Sequence, residues 1–283
     1  MILSIASGKG GTGKTTVALN LAISIDNAQY LDCDVEAPNG HLFLSPEITT
    51  SYPVGVPVPE IDEEKCNLCG TCAKVCEYNA IAVLPSSVLV FPELCHGCGA
   101  CSYFCKQEAI KEVNRIIGQV QIGQAGTTEF VHGKLNVGEA MGPPLIKTVK
   151  SEIHNGKTAI IDAPPGTSCP MVTAVSNSDY SILVTEPTPF GFNDLTLAVE
   201  VIRNMKIPFG VVINKADIAD ECIERYCEKE NIPVLMRIPF SREIAELYSQ
   251  GIPLVTAKQH YRQKFIELYE KVKEQVHETT NNN

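Results

Sequence analysis

The chain reads as an α/β protein: a doubly wound, mainly parallel sheet into which a small α+β module is inserted. Three observations predict this. A strand, a glycine-rich loop and a helix open the chain, and strand and helix patterns alternate from residue 139 onward. Between these two stretches lie two matching runs of cysteines that follow neither period.

The elements follow in order. Residues 2–6 are an apolar strand, and a helical pattern through Leu19, Leu21 and Ile23 comes after the glycine-rich loop. Residues 28–34 read as a second strand ending in acidic residues. Residues 45–59, with Pro46, Pro53, Pro57 and Pro59, read as an irregular linker. Residues 113–138 alternate apolar and polar side chains and predict antiparallel strands. Helical patterns then cover about 141–154, 168–177, 191–205, 220–230, 241–250 and 259–277. They alternate with strands at 158–162, 180–185, 208–213 and 233–237. The larger domain is therefore split, 1–59 plus 113–283, around an insert at 60–112.

Composition narrows the function. The chain has 283 residues, 44% of them hydrophobic and 20% charged, with a net charge of -10. An acidic chain without basic clusters argues against nucleic-acid binding. No apolar run approaches the ~18 residues of a spanning helix, so no membrane role is expected. The opening lacks a basic leader, and a chain this long builds a core without disulfides. The expected location is cytoplasmic and reducing, where the twelve cysteines serve better as metal ligands than as bridges.

Eight of those cysteines form two runs of spacing C-x2-C-x2-C-x3-C: Cys66, Cys69, Cys72, Cys76 and Cys95, Cys98, Cys101, Cys105. The runs are related by a shift of 29 residues that also matches Gly70 with Gly99, Ala80 with Ala109 and Ile81 with Ile110. Three closely spaced thiolates wrap one face of a cubane, and the fourth ligand comes from the other run. This assigns one [4Fe-4S] cluster to Cys66, Cys69, Cys72 and Cys105, and a second to Cys95, Cys98, Cys101 and Cys76. Zinc prefers separated C-x2-C pairs. The segment resembles a bacterial-type two-cluster ferredoxin, although Glu77 and Lys106 stand where proline usually follows the fourth cysteine. With all ligand places taken by cysteine, His96 is expected to be peripheral.

The N-terminal loop, Gly8-Lys9-Gly10-Gly11-Thr12-Gly13-Lys14-Thr15-Thr16, is G-x4-G-K-T between a strand and a helix. Its backbone N–H groups and the helix N-terminus suit a phosphate. Lys14 is expected on the β and γ phosphates and Thr15 on Mg2+. Lys9 makes the loop a deviant Walker A motif, and it resembles the MinD, ParA and nitrogenase iron-protein group of P-loop ATPases. The resemblance covers essentially the whole chain and implies further roles. Lys9 would reach a partner's nucleotide across an ATP-closed homodimer. Asp34 would orient the attacking water, Asp162 at the end of an apolar strand would hold Mg2+, and the Gly166 amide in Pro164-Pro165-Gly166 would lie near the γ-phosphate. Pro239 and Phe240 would flank the purine.

Asn214-Lys215-Ala216-Asp217 follows the strand at 208–213. Asn214 and Lys215 are expected at the base. Asp217 is either a guanine acceptor or the N-cap of the helix after it, so GTP stays open beside ATP. Asp32 is expected in a turn role, Cys33 in the core and Cys169 buried in a helix. Cys222 and Cys227 make no adequate metal site. The last helix, with Phe265, Leu268, Tyr269, Val272 and Val276 on one stripe, is expected to pack on the sheet.

The expected function is an iron–sulfur ATPase that couples Mg-ATP binding and hydrolysis in a homodimer to electron transfer through two [4Fe-4S] clusters. The alternative is an iron–sulfur cluster carrier or assembly ATPase. The corresponding partners are a redox protein or an apo iron–sulfur acceptor.

Overall fold

The computed structural model describes residues 1–218 and 221–281. Strand β1 (Ile2–Ala6) leads through the glycine-rich loop to α1 (Lys14–Ser24), β2 (Ala28–Asp32) and the short α2 (Gly40–Leu44). Strand β3 (Glu47–Ile61) runs out to the cysteine-rich segment, which holds α3 (Thr71–Lys74), a hairpin of β4 (Ile81–Val83) and β5 (Val88–Val90), and α4 (Ala100–Tyr103). Strands β6 (Ile110–Ala125) and β7 (Thr128–Leu135) return. Then come α5 (Pro143–Ser151), β8 (Thr158–Asp162), α6 (Cys169–Val175), β9 (Tyr180–Thr185), α7 (Pro189–Asn204), β10 (Phe209–Asn214), α8 (Cys222–Lys229) and β11 (Val234–Ile238). Helices α9 (Arg242–Ser249), α10 (Leu254–Ala257) and α11 (Gln259–Asn281) follow. Position 220, the expected start of the helix over 220–230, lies outside the described residues. Helix α7 begins at Pro189, earlier than the expected 191, because Thr188 caps it by accepting from the Gly191 N–H.

A nine-stranded sheet runs in the order β11-β10-β9-β1-β8-β2-β7-β6-β3. Every pair from β11 to β7 is parallel, and the last two pairs, β7 with β6 and β6 with β3, are antiparallel. The mainly parallel α/β architecture follows the strand–helix alternation. Apolar helices cover both faces: Leu145, Ile146, Met171, Leu195 and Ile202 on one, Val17, Leu21, Phe265, Leu268 and Val272 on the other. The last helix thus lies on the sheet. Among the described residues no helix is long and apolar enough to cross a membrane.

One expectation is corrected. Residues 45–59 are mostly not a linker: from Glu47 they belong to β3, paired with β6 from Glu47↔Gln124 to Ile61↔Ile110. The prolines misled because they are poor in central strands. β3 ends the sheet, and an outer edge tolerates residues that cannot donate to a ladder. The same two strands that lie in the sheet thus run on, without a break, into the cysteine segment.

Candidate functional site

The glycine-rich loop sits at the carboxyl end of β1, a central strand, where doubly wound sheets bind ligands. Gly13 has φ 97° and begins α1, and a Cβ there would come within 2.4 Å of Asn214 Nδ2. Both facts require glycine. A Cβ on Gly8 would strike the Asp194 backbone oxygen at 2.0 Å, whereas Gly10 and Gly11 face open space. The loop is thus held from behind and open in front. Ser7 Oγ donates to Lys9 O at 2.6 Å, and Gly166 N donates to Ser7 O at 3.1 Å, which draws the 164–166 segment to the loop.

Lys14 is buried within electrostatic reach of Asp162, Asp34 and Asp32. Burial pulls its ammonium below the ordinary lysine value against the opposing pull of those aspartates. Asp162 is fully buried. Its Oδ2 accepts from the Tyr30 hydroxyl at 3.0 Å, Thr15 adds a hydrogen bond, and Oδ1 has no partner. Burial outweighs these bonds and the nearby Lys14 and raises the carboxyl to about 6. An orphaned carboxylate oxygen beside a threonine hydroxyl fits a hydrated Mg2+ ion, which would satisfy it. Burial also raises Asp34, with Lys14 opposing. Asp32 takes the turn role expected of it: its carboxylate accepts from the Asp34, Asn39 and Gly40 N–H groups at 3.1, 3.0 and 2.9 Å and shapes the loop that carries Asp34.

A cleft of about 250 Å³ adjoins the loop, lined by Gly11, Gly13, Thr16, Asn214, Lys215, Pro239, Phe240 and Tyr248. The structure therefore gathers the expected base-contact residues beside the phosphate loop. Two of them have their polar ends engaged: Asn214 Nδ2 donates to Thr12 O at 2.9 Å, and Lys215 Nζ bonds Glu186 Oε2 at 2.9 Å. Asp217 does not cap α8, which begins only at Cys222. Its carboxylate instead accepts from the Phe240 N–H at 2.5 Å and anchors the loop that presents Phe240. Lys9 does not face the cleft either. Its Nζ bonds Glu186 Oε1 at 2.6 Å. Burial would raise Glu186, but the two lysines outweigh it and hold the carboxyl below its usual value. Glu186, Tyr30 and Tyr248 were not picked out from the sequence. Glu186 directly follows the strand expected at 180–185, at the ligand-binding end of the sheet, and that position was its one available signal.

In the insert, the cysteines gather around two pockets. Cys66, Cys69, Cys72 and Cys105 line the first, and Cys76, Cys95, Cys98 and Cys101 line the second. Each pocket draws three sulfurs from one run and the fourth from the other. The repeat extends to the backbone: Gly70 and Gly99 have φ 76° and 72°, and Asn79 and Glu108 have φ 52° and 49°. Ala80 N donates to Cys76 Sγ at 3.3 Å and Ala109 N to Cys105 Sγ at 3.4 Å. Among the described residues no three His, Cys, Asp or Glu side chains converge on a single-ion site. Four sulfurs spread around a pocket, with N–H groups aimed at them, fit a polynuclear cluster better than one ion. Hydrogen bonds from Thr71 hold the Cys69 thiol below its ordinary value, and burial raises Cys101 to about 11. His96 is exposed at the rim of the second pocket, which it lines together with Tyr78, on which it stacks with ring centroids 3.6 Å apart.

Of the remaining cysteines, Cys33 is buried in the core. Cys169 is exposed rather than buried, because it opens α6 instead of lying inside it.

The family profile described as the CobQ/CobB/MinD/ParA nucleotide binding domain matches residues 3–254. An uncharacterized protein of Methanocaldococcus jannaschii is 32% identical, with 97% of each chain covered. The iron-sulfur cluster carrier protein of Pyrococcus horikoshii is 26% identical over 95% of this chain and 84% of its own length. Among solved structures, the septum site-determining protein MinD from P. horikoshii, complexed with Mg-ADP, superposes with a TM-score of 0.61 at 21% identity. That match covers 96% of this chain and 95% of the other.

Proposed function

From the premise that the chain belongs to the CobQ/CobB/MinD/ParA nucleotide-binding family, we propose that it is a Mg-ATP-dependent iron–sulfur cluster carrier. Its insert would hold two [4Fe-4S] clusters, and its nucleotide state would govern their delivery to an apo-acceptor. The observation that carries this reading is the joining of two complete four-cysteine pockets to a P-loop sheet through two unbroken strands, β3 and β6. Similarity to curated cluster carriers supports it. So does the exposure of one cysteine in each pocket, Cys69 and Cys98, which gives an incoming thiolate a place to exchange.

In the nucleotide site, the loop amides of Gly10–Thr15 and Lys14 bind the phosphates. Thr15 and Asp162 would hold Mg2+, which when bound would neutralise phosphate charge, and the Gly166 amide would face the γ-phosphate. Asp34, its basicity raised by burial, orients water for attack on the γ-phosphorus. Pro239 and Phe240 flank the base. In the ATP-closed homodimer, Lys9 exchanges Glu186 for the partner's nucleotide. The chain works in the cytoplasm, without nucleic acid or membrane.

A second reading is electron transfer to a redox protein. One observation favours it: each pocket offers a full set of four thiolates, and saturated ligation retains a cluster. Anaerobic reconstitution tests the two. The carrier reading expects about eight iron atoms per chain and ATP hydrolysis stimulated by an apo iron–sulfur acceptor. Hydrolysis indifferent to the acceptor, with rapid reduction of a redox protein, would reverse the order of the readings.

A further inference from the structure

The two cysteine pockets are alike in sequence but not in what they rest on. The first is lined by insert residues and by the tips of the two carrying strands, Ile61 and Ile110. The second rests on the strands themselves, through Pro57, Pro59 and Glu112. A Cβ on Gly97 would lie 3.1 Å from Pro57 Cδ and from Pro57 O, so the 95–98 turn sits directly on β3. Cys95 packs against the main core, which includes Val54 and Val56. Along a strand the first pocket is about 10 Å farther from the nucleotide half.

A continuous chain of contacts joins the second pocket to the loop carrying Asp34. Val35, next in sequence, is buried, and its carbonyl accepts from Leu135 N at 2.9 Å. Its methyl groups limit Gly133 and Gly142, on either side of the 136–141 turn. In that turn Asn136 N donates to Ile117 O at 2.8 Å, Asn136 Nδ2 donates to Ile116 O at 3.1 Å, and Glu139 N donates to Asn136 O at 3.1 Å. Glu139 then grips Arg115 through both guanidinium nitrogens, Nη1 and Nη2, with the Glu139 side chain only 6% exposed. Arg115 pairs with Val56 on β3, one residue before Pro57, and its charge reaches Glu93 and Cys95.

We propose that the Arg115–Glu139 ion pair is the strut through which the nucleotide site governs the second cysteine pocket, while the first pocket, farther out along the same strands, responds less. The inference rests on the proposed function and adds a ranking: of the two clusters, the one in the second pocket is governed more tightly by nucleotide. A packed, doubly hydrogen-bonded pair transmits displacement better than a solvated loop.

The test is hydrogen exchange on the iron-loaded full chain, with and without Mg-ADP and a non-hydrolysable ATP analogue. Iron content and nucleotide affinity are measured on the same samples. The expected result is a nucleotide-dependent change in protection at residues 93–99 that clearly exceeds any change at 66–72. In Arg115→Gln and Glu139→Gln that change shrinks by about threefold or more, and the double variant is no worse than either single one. Arg115→Lys, which keeps the charge, retains part of it. Equal responses at the two pockets, or full responses in both single variants, overturn the inference. The comparison of pockets in the unaltered chain decides even if a variant fails to fold. If the chain takes up neither iron nor nucleotide, the proposed function itself fails, and this is distinguishable from a loaded chain without the local response.

Discussion

The nucleotide half and the cysteine insert are stabilised by opposite means. The nucleotide half buries two apolar faces around its sheet and also buries charged groups, of which Lys14 and Asp162 are the ones the proposed Mg-nucleotide would engage. The insert buries almost nothing. Between residues 62 and 109 the buried apolar side chains are Ala80, Ile81 and Ala109, while Leu84, Leu89, Phe91, Leu94, Tyr103 and Phe104 are exposed. A segment this short with so small a core needs metal to fold. Under the proposed function, the nucleotide half is preformed before its ligand binds, whereas the insert would owe its shape to the clusters its cysteines hold.

The largest expected effect tests that contrast. Stripping iron with a chelator should unfold residues 62–109 and leave nucleotide binding intact, as read by limited proteolysis beside a nucleotide-binding assay. A protease-resistant insert without iron would break the comparison. Cys66→Ala should lower iron by about half, by emptying the first pocket alone.

Next comes the phosphate loop. Lys14→Ala removes the buried cation and should weaken ATP binding by at least about tenfold, without changing iron content. Gly13→Ala should have a similar sign, because its Cβ would collide with Asn214 at a φ of 97°. It is expected to cost at least about 1 kcal/mol in thermal unfolding.

The pH dependence sharpens the contrast further. Burial raises Asp162 from 3.8 to about 6, so between those values the folded site keeps a proton that the unfolded chain has released. The Mg2+-free protein should therefore lose stability as pH rises through that window, and Mg-nucleotide should restore it above pH 6. Asp32 and Asp34 are raised as well and act with the same sign. Melting curves at either end of the window check this, with Asp162→Asn as the control that makes the profile shallower by its own share while Asp32 and Asp34 keep theirs. The smallest expected effect is at Asp217→Ala, which frees the loop carrying Phe240 and should weaken ATP by about two- to fivefold, the scale of one hydrogen bond. Competition with GTP in the same assay reports base preference.

Much of this was legible in the sequence because it depends on short spacings. G-x4-G-K-T and the doubled cysteine run fix local backbone, and the structure gathers Lys14, Thr15, Asp34 and Asp162 at one place and the cysteines at two. What was not legible depends on partners distant in sequence. Prolines 53, 57 and 59 resembled a linker because only the finished sheet shows β3 to be its edge. Glu186 looked like any strand-end acid until folding brought Lys9 and Lys215 to it. Arg115 and Glu139 are 24 residues apart and lie in no motif. Asp217 suited both a base contact and a helix cap, and its actual partner, the Phe240 N–H, comes from a loop 23 residues on.

The central claim is that nucleotide in one half controls cargo in the other. The most direct measurement is anaerobic mixing of the iron-loaded chain with an excess of an apo iron–sulfur protein, following restoration of the acceptor's activity. Mg-ATP is expected to accelerate restoration, and Lys14→Ala to abolish the acceleration while leaving iron loading unchanged. Restoration at one rate with and without Mg-ATP, or no transfer while the loaded chain passes electrons to a redox protein, would contradict that claim.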